Sequence, residues 1–254
     1  DPTYFLFGSP ITPSGLNLAS QLSGINLNAF GWPSYADYEQ VIPQSSCDPA
    51  NVAYNSPYGH MFQWEEDAPF LFNCTQSGWY VRRSGTFENA RGYAALVEAG
   101  TNIVSFEGPA TTGPVTYNNN GPFGTGGLSN TNTTGDGFHL VSNPYPSPME
   151  WTGVPGFDGA AYFWQAGGAF SGTYQVRLSS QGYVIPSMQG FFVRVTSGTH
   201  SFDVDDNMRR TGDPAFNQNS AWYDQIMEFT VEGNGFADMT TIYFKGDDTP
   251  GWDS

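Results

Sequence analysis

The chain has a single lysine, Lys245, and only 8 basic residues against 24 acidic ones in 254 positions. A surface this poor in cations cannot neutralise phosphates, which argues against nucleic acid and anionic membrane as partners. Charged residues make up only 13% of the chain, and Lys and Glu are scarce, so amphipathic helices are not expected. No apolar run approaches the ~18 residues a membrane helix needs, which excludes direct insertion as a helix. No basic-then-apolar leader opens the chain. There is no G-x-S-x-G elbow, no H-E-x-x-H helix and no phosphate-cradling glycine loop. The three histidines, His60, His139 and His200, lack the spacing of zinc ligands.

Cysteine is limited to Cys47 and Cys74. Neither has a histidine beside it in sequence, which argues against a nucleophile needing a base. An even number in a chain read as exported points to a Cys47–Cys74 disulfide, with two unpaired thiols as the alternative. The chain starts at Asp1-Pro2 and stops at Gly251-Trp252-Asp253-Ser254, and it is expected to be a mature piece of something longer.

What is abundant is aromatic residues, at 16%, with 31 Gly and 18 Pro, the profile of many short strands joined by punctuated turns. The chain also resembles itself. Tyr4-Phe5-Leu6-Phe7-Gly8-Ser9-Pro10 matches Phe138-His139-Leu140-Val141-Ser142-Asn143-Pro144, an apolar strand running into a small residue and a proline. Met61-Phe62-Gln63-Trp64 matches Tyr162-Phe163-Trp164-Gln165. Arg91-Gly92-Tyr93-Ala94-Ala95-Leu96-Val97 matches Gln189-Gly190-Phe191-Phe192-Val193-Arg194-Val195, each leading to a Gly-Thr turn and a second strand, which predicts a β-hairpin. The β-branched and aromatic second copy resolves the alanine-rich first copy as a strand. The expected fold is all-β, an antiparallel β-sandwich of jelly-roll character with two internally duplicated halves, with two separate sandwiches as the alternative. Residues 1–110 form the first half, with a long insertion at 12–58. Residues 111–137, rich in Gly, Asn, Thr and Pro, form a connection, and 138–254 form the second half, packed with the first as one elongated unit. The last strands are expected at 225–232 and 240–244, around the turn Gly233-Asn234-Gly235.

Several segments resemble a module of bacterial cell-surface proteins exported by the type IX secretion system. Gly137-Phe138-His139-Leu140-Val141-Ser142-Asn143-Pro144-Tyr145-Pro146-Ser147-Pro148-Met149-Glu150-Trp151 resembles that family's "GWNLVGNPYPSPIDW". Ile185-Pro186-Ser187-Met188-Gln189-Gly190-Phe191-Phe192-Val193 is similar to its "IPSMQGFFV" strand, and Ile242 to Lys245 with Gly251 to Ser254 resembles the strand before its "GFDSxYDAxK". The resemblance covers the second half well and the first loosely. It implies an extracellular, surface-attached location, with the type IX machinery and other domains or copies of the same surface protein as partners. The C-terminal sorting domain that usually follows is not visible.

The functional expectation is a non-catalytic surface module serving adhesion or surface and filament assembly. Its alternatives are a carbohydrate-binding module and a polysaccharide-degrading enzyme. Glu65-Glu66-Asp67 and Glu150 could supply a glycosidase carboxylate pair, but adjacent acids on a turn read as a solvated loop. No cofactor is required. Calcium is the one candidate ion, since Asp203, Asp205, Asp206 and Asn207 place oxygen side chains at closely spaced positions, although the EF-hand glycine and distal glutamate are missing. Pairing of that acidic stretch with Arg209 and Arg210 is the competing interpretation, and Asp247 and Asp248 are a weaker candidate. Loop aromatics able to stack on glycans or a partner are Trp32, Tyr35, Tyr38, Tyr58, Trp79 and Tyr145, whereas Trp64, Trp151 and Trp164 are assigned to the core.

Overall fold

The structure, a computed structural model, describes residues 3–12, 61–66, 78–82, 85–97, 106, 108–119, 126–130, 137–168, 171–211, 225–233 and 236–244. These residues are mostly β-strands in antiparallel sheets. Helical structure among them is limited to two single 3-10 turns, Ser179–Gln181 and Asp206–Met208.

One four-stranded sheet is built from β1 (Thr3–Phe7), β2 (Met61–Trp64), β3 (Trp79–Val81) and β4 (Tyr93–Val97), in the order β1-β4-β2-β3. The connecting region supplies β5 (Val115–Tyr117) and β6 (Leu128–Asn130), and β7 (Phe138–Ser142) and the short β8 (Met149–Glu150) follow. After them come β9 (Ala160–Gly168), β10 (Ser171–Leu178), β11 (Val184–Ile185) and β12 (Gly190–Arg194). The second four-stranded sheet has the order β10-β9-β12-β7. Strands β13 (Gly198–His200) and β14 (Phe202–Val204) pair with β6 and β5, and β11 pairs with β8. A hairpin of β15 (Gln225–Gly233) and β16 (Phe236–Phe244) closes the described chain; its first strand lies where the sequence pattern expects it, and its second begins at Phe236, ahead of the expected 240.

The two large sheets are the same arrangement twice. Reading β1 as β7, β4 as β12, β2 as β9 and β3 as β10 turns one strand order into the other. The registers agree residue by residue: Phe7 faces Tyr93 and Leu6 faces Ala94 in one sheet, while Val141 faces Phe191 and Leu140 faces Phe192 in the other. Phe62 faces Ala94 as Tyr162 faces Phe192, so Trp64 corresponds to Trp164. That corrects the sequence alignment of this strand by one residue. In a short aromatic run, pattern alone does not fix register.

Contacts between the halves are reciprocal. Isolated bridges join Phe7 to Gln189 and Val141 to Arg91, which are corresponding pairs. A side chain at Gly92 would strike Leu140 and Val141, and one at Gly190 would strike Leu6 and Phe7. Residue i touching j while j's counterpart touches i's counterpart is the pattern of an approximate twofold relation. Alternate residues of both sheets, Leu6, Phe62, Ala94, Leu140 and Phe192, form one apolar cluster with Tyr4, Trp64, Trp79, Phe138, Tyr162 and Trp164 packed on it. Its rings meet edge to face: Trp64 lies 5.3 Å from Trp79 and 5.8 Å from Phe192, and Trp164 lies 5.2 Å from Tyr174. The other face of the second sheet forms a larger core in which Trp151, Phe163, Phe191 and Phe202 are fully buried.

Two expectations need correcting. Residues 111–137 are more than a connection, because β5 and β6 lie there and Val115, Tyr117 and Leu128 enter the large core. The strand after Gly198-Thr199 does not fold back on β12 as a hairpin, because both edges of β12 are taken by β7 and β9; β14 pairs with β5 instead.

Candidate functional site

The densest polar constellation among the described residues lies under the first sheet, on the face opposite the shared aromatic cluster. There β2 carries Gln63 and β4 carries Tyr93, where the second sheet has Phe163 and Phe191. Glu65 just past β2, Arg82 just past β3 and Arg91 just ahead of β4 join them, and all are buried. Arg91 forms an ion pair with Glu65 and a second, at 2.9 Å, with Glu88. Gln63 donates from Nε2 to Glu65 and accepts from Arg82 at Oε1. The Arg91 guanidinium lies 5.7 Å from the Tyr117 ring centre and that of Arg82 lies 6.0 Å from Tyr93.

Burial pushes the Glu65 carboxyl up, and Arg91 opposes it. Burial pulls Arg91 down, but Tyr117, Glu65 and Glu88 more than reverse this, so the guanidinium stays charged. The Tyr80 and Tyr93 hydroxyls are pushed up to about 12 by burial. Glu65 Oε2 and Arg91 Nε, both enclosed, have no hydrogen-bond partner among the described residues. Sealed carboxylates cannot reach a substrate in this conformation. What the pair can do is fix geometry, because charge separation at low dielectric penalises any displaced arrangement. Glu66 has a similar part: Gly137 N donates to it at 2.8 Å, and Trp64 Nε1 donates at 3.3 Å to Glu66 and at 2.8 Å to Phe138 O, tying the halves together.

The Asn143-Pro144-Tyr145-Pro146-Ser147 stretch forms a second constellation. Asn143 Nδ2 donates to the carbonyls of Ser147 and Pro186, each at 2.9 Å, and Oδ1 accepts from Tyr145 N at 3.0 Å. Tyr145 donates its hydroxyl to Gly113 O at 2.9 Å, and Ser187 Oγ donates to Tyr145 O at 3.0 Å. Arg209 lies 5.4 Å over the Tyr145 ring and donates to Ser147 Oγ at 2.9 Å. Nearby, Trp151 donates to Gly159 O at 3.1 Å from a fully buried indole. The turn thereby holds three separate segments, at Gly113, Pro186–Ser187 and Arg209.

Family profiles, curated proteins and solved structures yield no match to this chain.

The acidic stretch does not converge on a common point. Asp203 accepts from Thr116 Oγ1 and Ser201 Oγ, each at 2.6 Å, and Asp205 caps the 3-10 turn through Asn207 N at 2.7 Å. Asp206 accepts from Gly113 N at 3.1 Å and pairs with Arg209 at 3.3 Å, while the Asn207 carbonyl accepts from Arg210 at 2.7 Å. Among the described residues no group of three or more His, Cys, Asp or Glu is placed to hold a metal ion. Glu150 pairs with Arg210, whose Nε lies 2.7 Å away.

Several sequence expectations are corrected here. Glu65 and Glu66 are buried, not solvated, because arginine, glutamine and backbone donors surround them. Tyr145 is fully buried and offers no ring face to a ligand. Trp79 is half-buried, edge to face with Trp64 and Phe192. Trp151 is in the core as expected, and Trp64 and Trp164 are half-buried against the shared cluster. Cys47, Cys74, Trp32, Tyr35, Tyr38, Tyr58, Asp247 and Asp248 lie outside the described residues. Sequence reasoning missed Gln63, Arg82 and Arg91 as a cluster. The available signal was Gln63 standing where the other half carries an aromatic residue.

Proposed function

We propose that this chain is a non-catalytic module of a larger bacterial surface protein, exported by the type IX route, working outside the cell in adhesion or in surface and filament assembly. The finer architecture we assign to it is a β-sandwich of jelly-roll character. One observation carries the reading: the segments that resemble the type IX module are used in holding the fold. Asn143, Tyr145, Trp151, Gln189 and Phe191 are all buried, and the side-chain donors of the first four go to carbonyls of neighbouring segments. A motif used in this way marks an architecture, and its function lies on the surface that architecture presents. The acids that chemistry would need are engaged as well: Glu65 by Arg91 and Glu150 by Arg210. No helix among the described residues is long and apolar enough to cross a membrane.

The test is a glycan array with and without chelator, run beside a turnover assay on polysaccharides and a surface-adhesion assay. The expected result is adhesion or self-assembly without turnover. Chelator-sensitive glycan binding would favour the lectin alternative, and sustained sugar hydrolysis would overturn the proposal.

A further inference from the structure

The exposed edge of the second sheet is strand β10. Tyr174, Val176 and Leu178 are 47%, 45% and 47% exposed, and they are the exposed large hydrophobic residues among those described. Spaced by two, they share one face, and their β9 partners are Trp164, Tyr162 and Ala160. This is the face that meets the first half: the Tyr174 ring lies 5.2 Å from Trp164 and 5.8 Å from Phe192, both within the shared aromatic cluster. The second sheet outruns the first here, since β9 and β10 have nine and eight residues while β2 and β3 have four and three. Among the described residues, the apolar row thus continues the internal interface past the ends of β2 and β3.

Two further observations bear on what covers the row. Among the described residues no strand pairs with the outer edge of β10; there Leu178 N donates to Gln181 Oε1 at 2.9 Å and Val176 O accepts from Arg177 at 3.4 Å, so strand pairing at this edge exchanges side-chain bonds for backbone ones. Negative charge is also absent from this stretch of sequence: in a chain with 24 acidic residues, none occurs between Asp158 and Asp203, and the one charged residue of β10 is Arg177. A second copy can approach this edge without meeting a carboxylate on the strand.

We propose that β10 pairs antiparallel with β10 of a second copy, with Val176 on the twofold axis. This register sets Val176 against its own counterpart and Tyr174 against Leu178, so all three apolar residues find apolar partners on one face. On the other face Gln175 meets Arg177. Shifting the axis to Arg177 places two guanidinium groups opposite each other, and shifting it to Gln175 sets Leu178 against Gly172, so the sequence of the strand selects one register. The two four-stranded sheets then run on as one. The inference names the partner for the assembly arm of the proposed function and rests on that arm alone.

An edge of this size falls below the ~1,200 Å² of a standard interface, so the affinity belongs to the weak class. Sedimentation of the whole chain from about 1 to 500 µM spans the corresponding range of dissociation constants. The expected result is a monomer–dimer equilibrium that tightens with added salt, since each copy carries a net charge of −16. Val176→Lys should weaken it at least ~10-fold, about 1.4 kcal/mol, with an unchanged far-ultraviolet spectrum. Val176→Cys should give a disulfide between two copies under air, mapped by mass spectrometry, because facing residues of an antiparallel pair sit within disulfide reach. A chain that stays monomeric throughout, a Val176→Lys variant that dimerises like the parent, or no such crosslink would overturn the inference. If adhesion persists in a monomer, the surface-module reading survives its loss. Turnover of a polysaccharide would sink that reading without touching the dimer.

Discussion

Ala90 and Met188 occupy corresponding positions in the two halves and share the same left-handed backbone, with φ of 58° and 60°. Each carbonyl accepts a hydrogen bond from the opposite half: Ser142 N donates to Ala90 O and Gly8 N to Met188 O, both at 2.8 Å. A side-chain-bearing residue in this region is disfavoured by roughly 1–2 kcal/mol, so two such residues at matching places mark a junction that the surrounding contacts enforce.

Gly8 and Ser142 face each other at this junction, and a Cβ on Gly8 would overlap the Ser142 hydroxyl. Gly8→Ala should therefore destabilise the chain by ~1–3 kcal/mol in urea unfolding, the usual range for overpacking. Adding Ser142→Gly should recover part of that loss, since the Arg91 carbonyl would still lie 2.9 Å from the new Cβ and the Ser142 hydroxyl bond to it is gone, and the double-mutant cycle should show a clear coupling energy. Equal, additive losses would show that the two positions are not in contact.

Breaking the Arg91–Glu65 pair by Arg91→Met should cost ~3–5 kcal/mol at neutral pH, because it strands a buried carboxylate. The pH dependence has a definite sign. Glu65 is shifted up from 4.5, so its favourable contribution is complete below 4.5 and is lost as pH rises through its folded-state value. Removing Arg91 raises that value further. The stability gap between parent and variant should be widest near neutrality and should narrow as pH falls towards 4.5, as read from urea midpoints across pH.

Tyr80 and Tyr93 are displaced upward from 10.0 to about 12 by burial. Their contribution to stability is intact below pH 10 and disappears as pH rises through about 12. Absorbance at tyrosinate wavelengths should show a late-titrating fraction that appears together with loss of the β-sheet circular dichroism signal. Replacing both by phenylalanine should diminish that fraction.

Asn143 donates to Ser147 O and Pro186 O and accepts from the buried Tyr145 N; Pro186 O keeps a bond from Gln189 N without it, whereas Ser147 O and Tyr145 N lose their partner. Asn143→Ala should lower stability by ~2–4 kcal/mol through unsatisfied groups. Asn143→Asp should be worse at neutral pH, since it sets an anionic oxygen against those carbonyls, and it should recover in part on acidification, when the acid can donate. Thermal unfolding at two pH values checks both statements.

The duplication was legible in the sequence because strands with a period of two and fixed Gly and Pro punctuation recur whatever the side-chain details. Phe7 and Tyr93 could be matched to Val141 and Phe191, and the structure pairs them in that register. Other features were hidden for physical reasons. Strands β5 and β6 are three residues each in Gly- and Asn-rich sequence, too short to show a pattern, although Val115-Thr116-Tyr117 does alternate. Glu65-Glu66-Asp67 reads locally as a solvated turn, and only the distant Arg91 and Gly137 explain why the two glutamates are inside. Tyr145 follows a proline in loop-like sequence, yet its hydroxyl is drawn inward by Gly113 O, 32 residues earlier.

Two halves that fold as one body through the aromatic layer around Phe192 must also unfold together. Calorimetric unfolding of the whole chain tests this directly. The prediction is a single transition with calorimetric and van't Hoff enthalpies in a ratio of about 1, lowered as a unit by Phe192→Ala. Two resolved transitions, with Phe192→Ala moving only one of them, would contradict it.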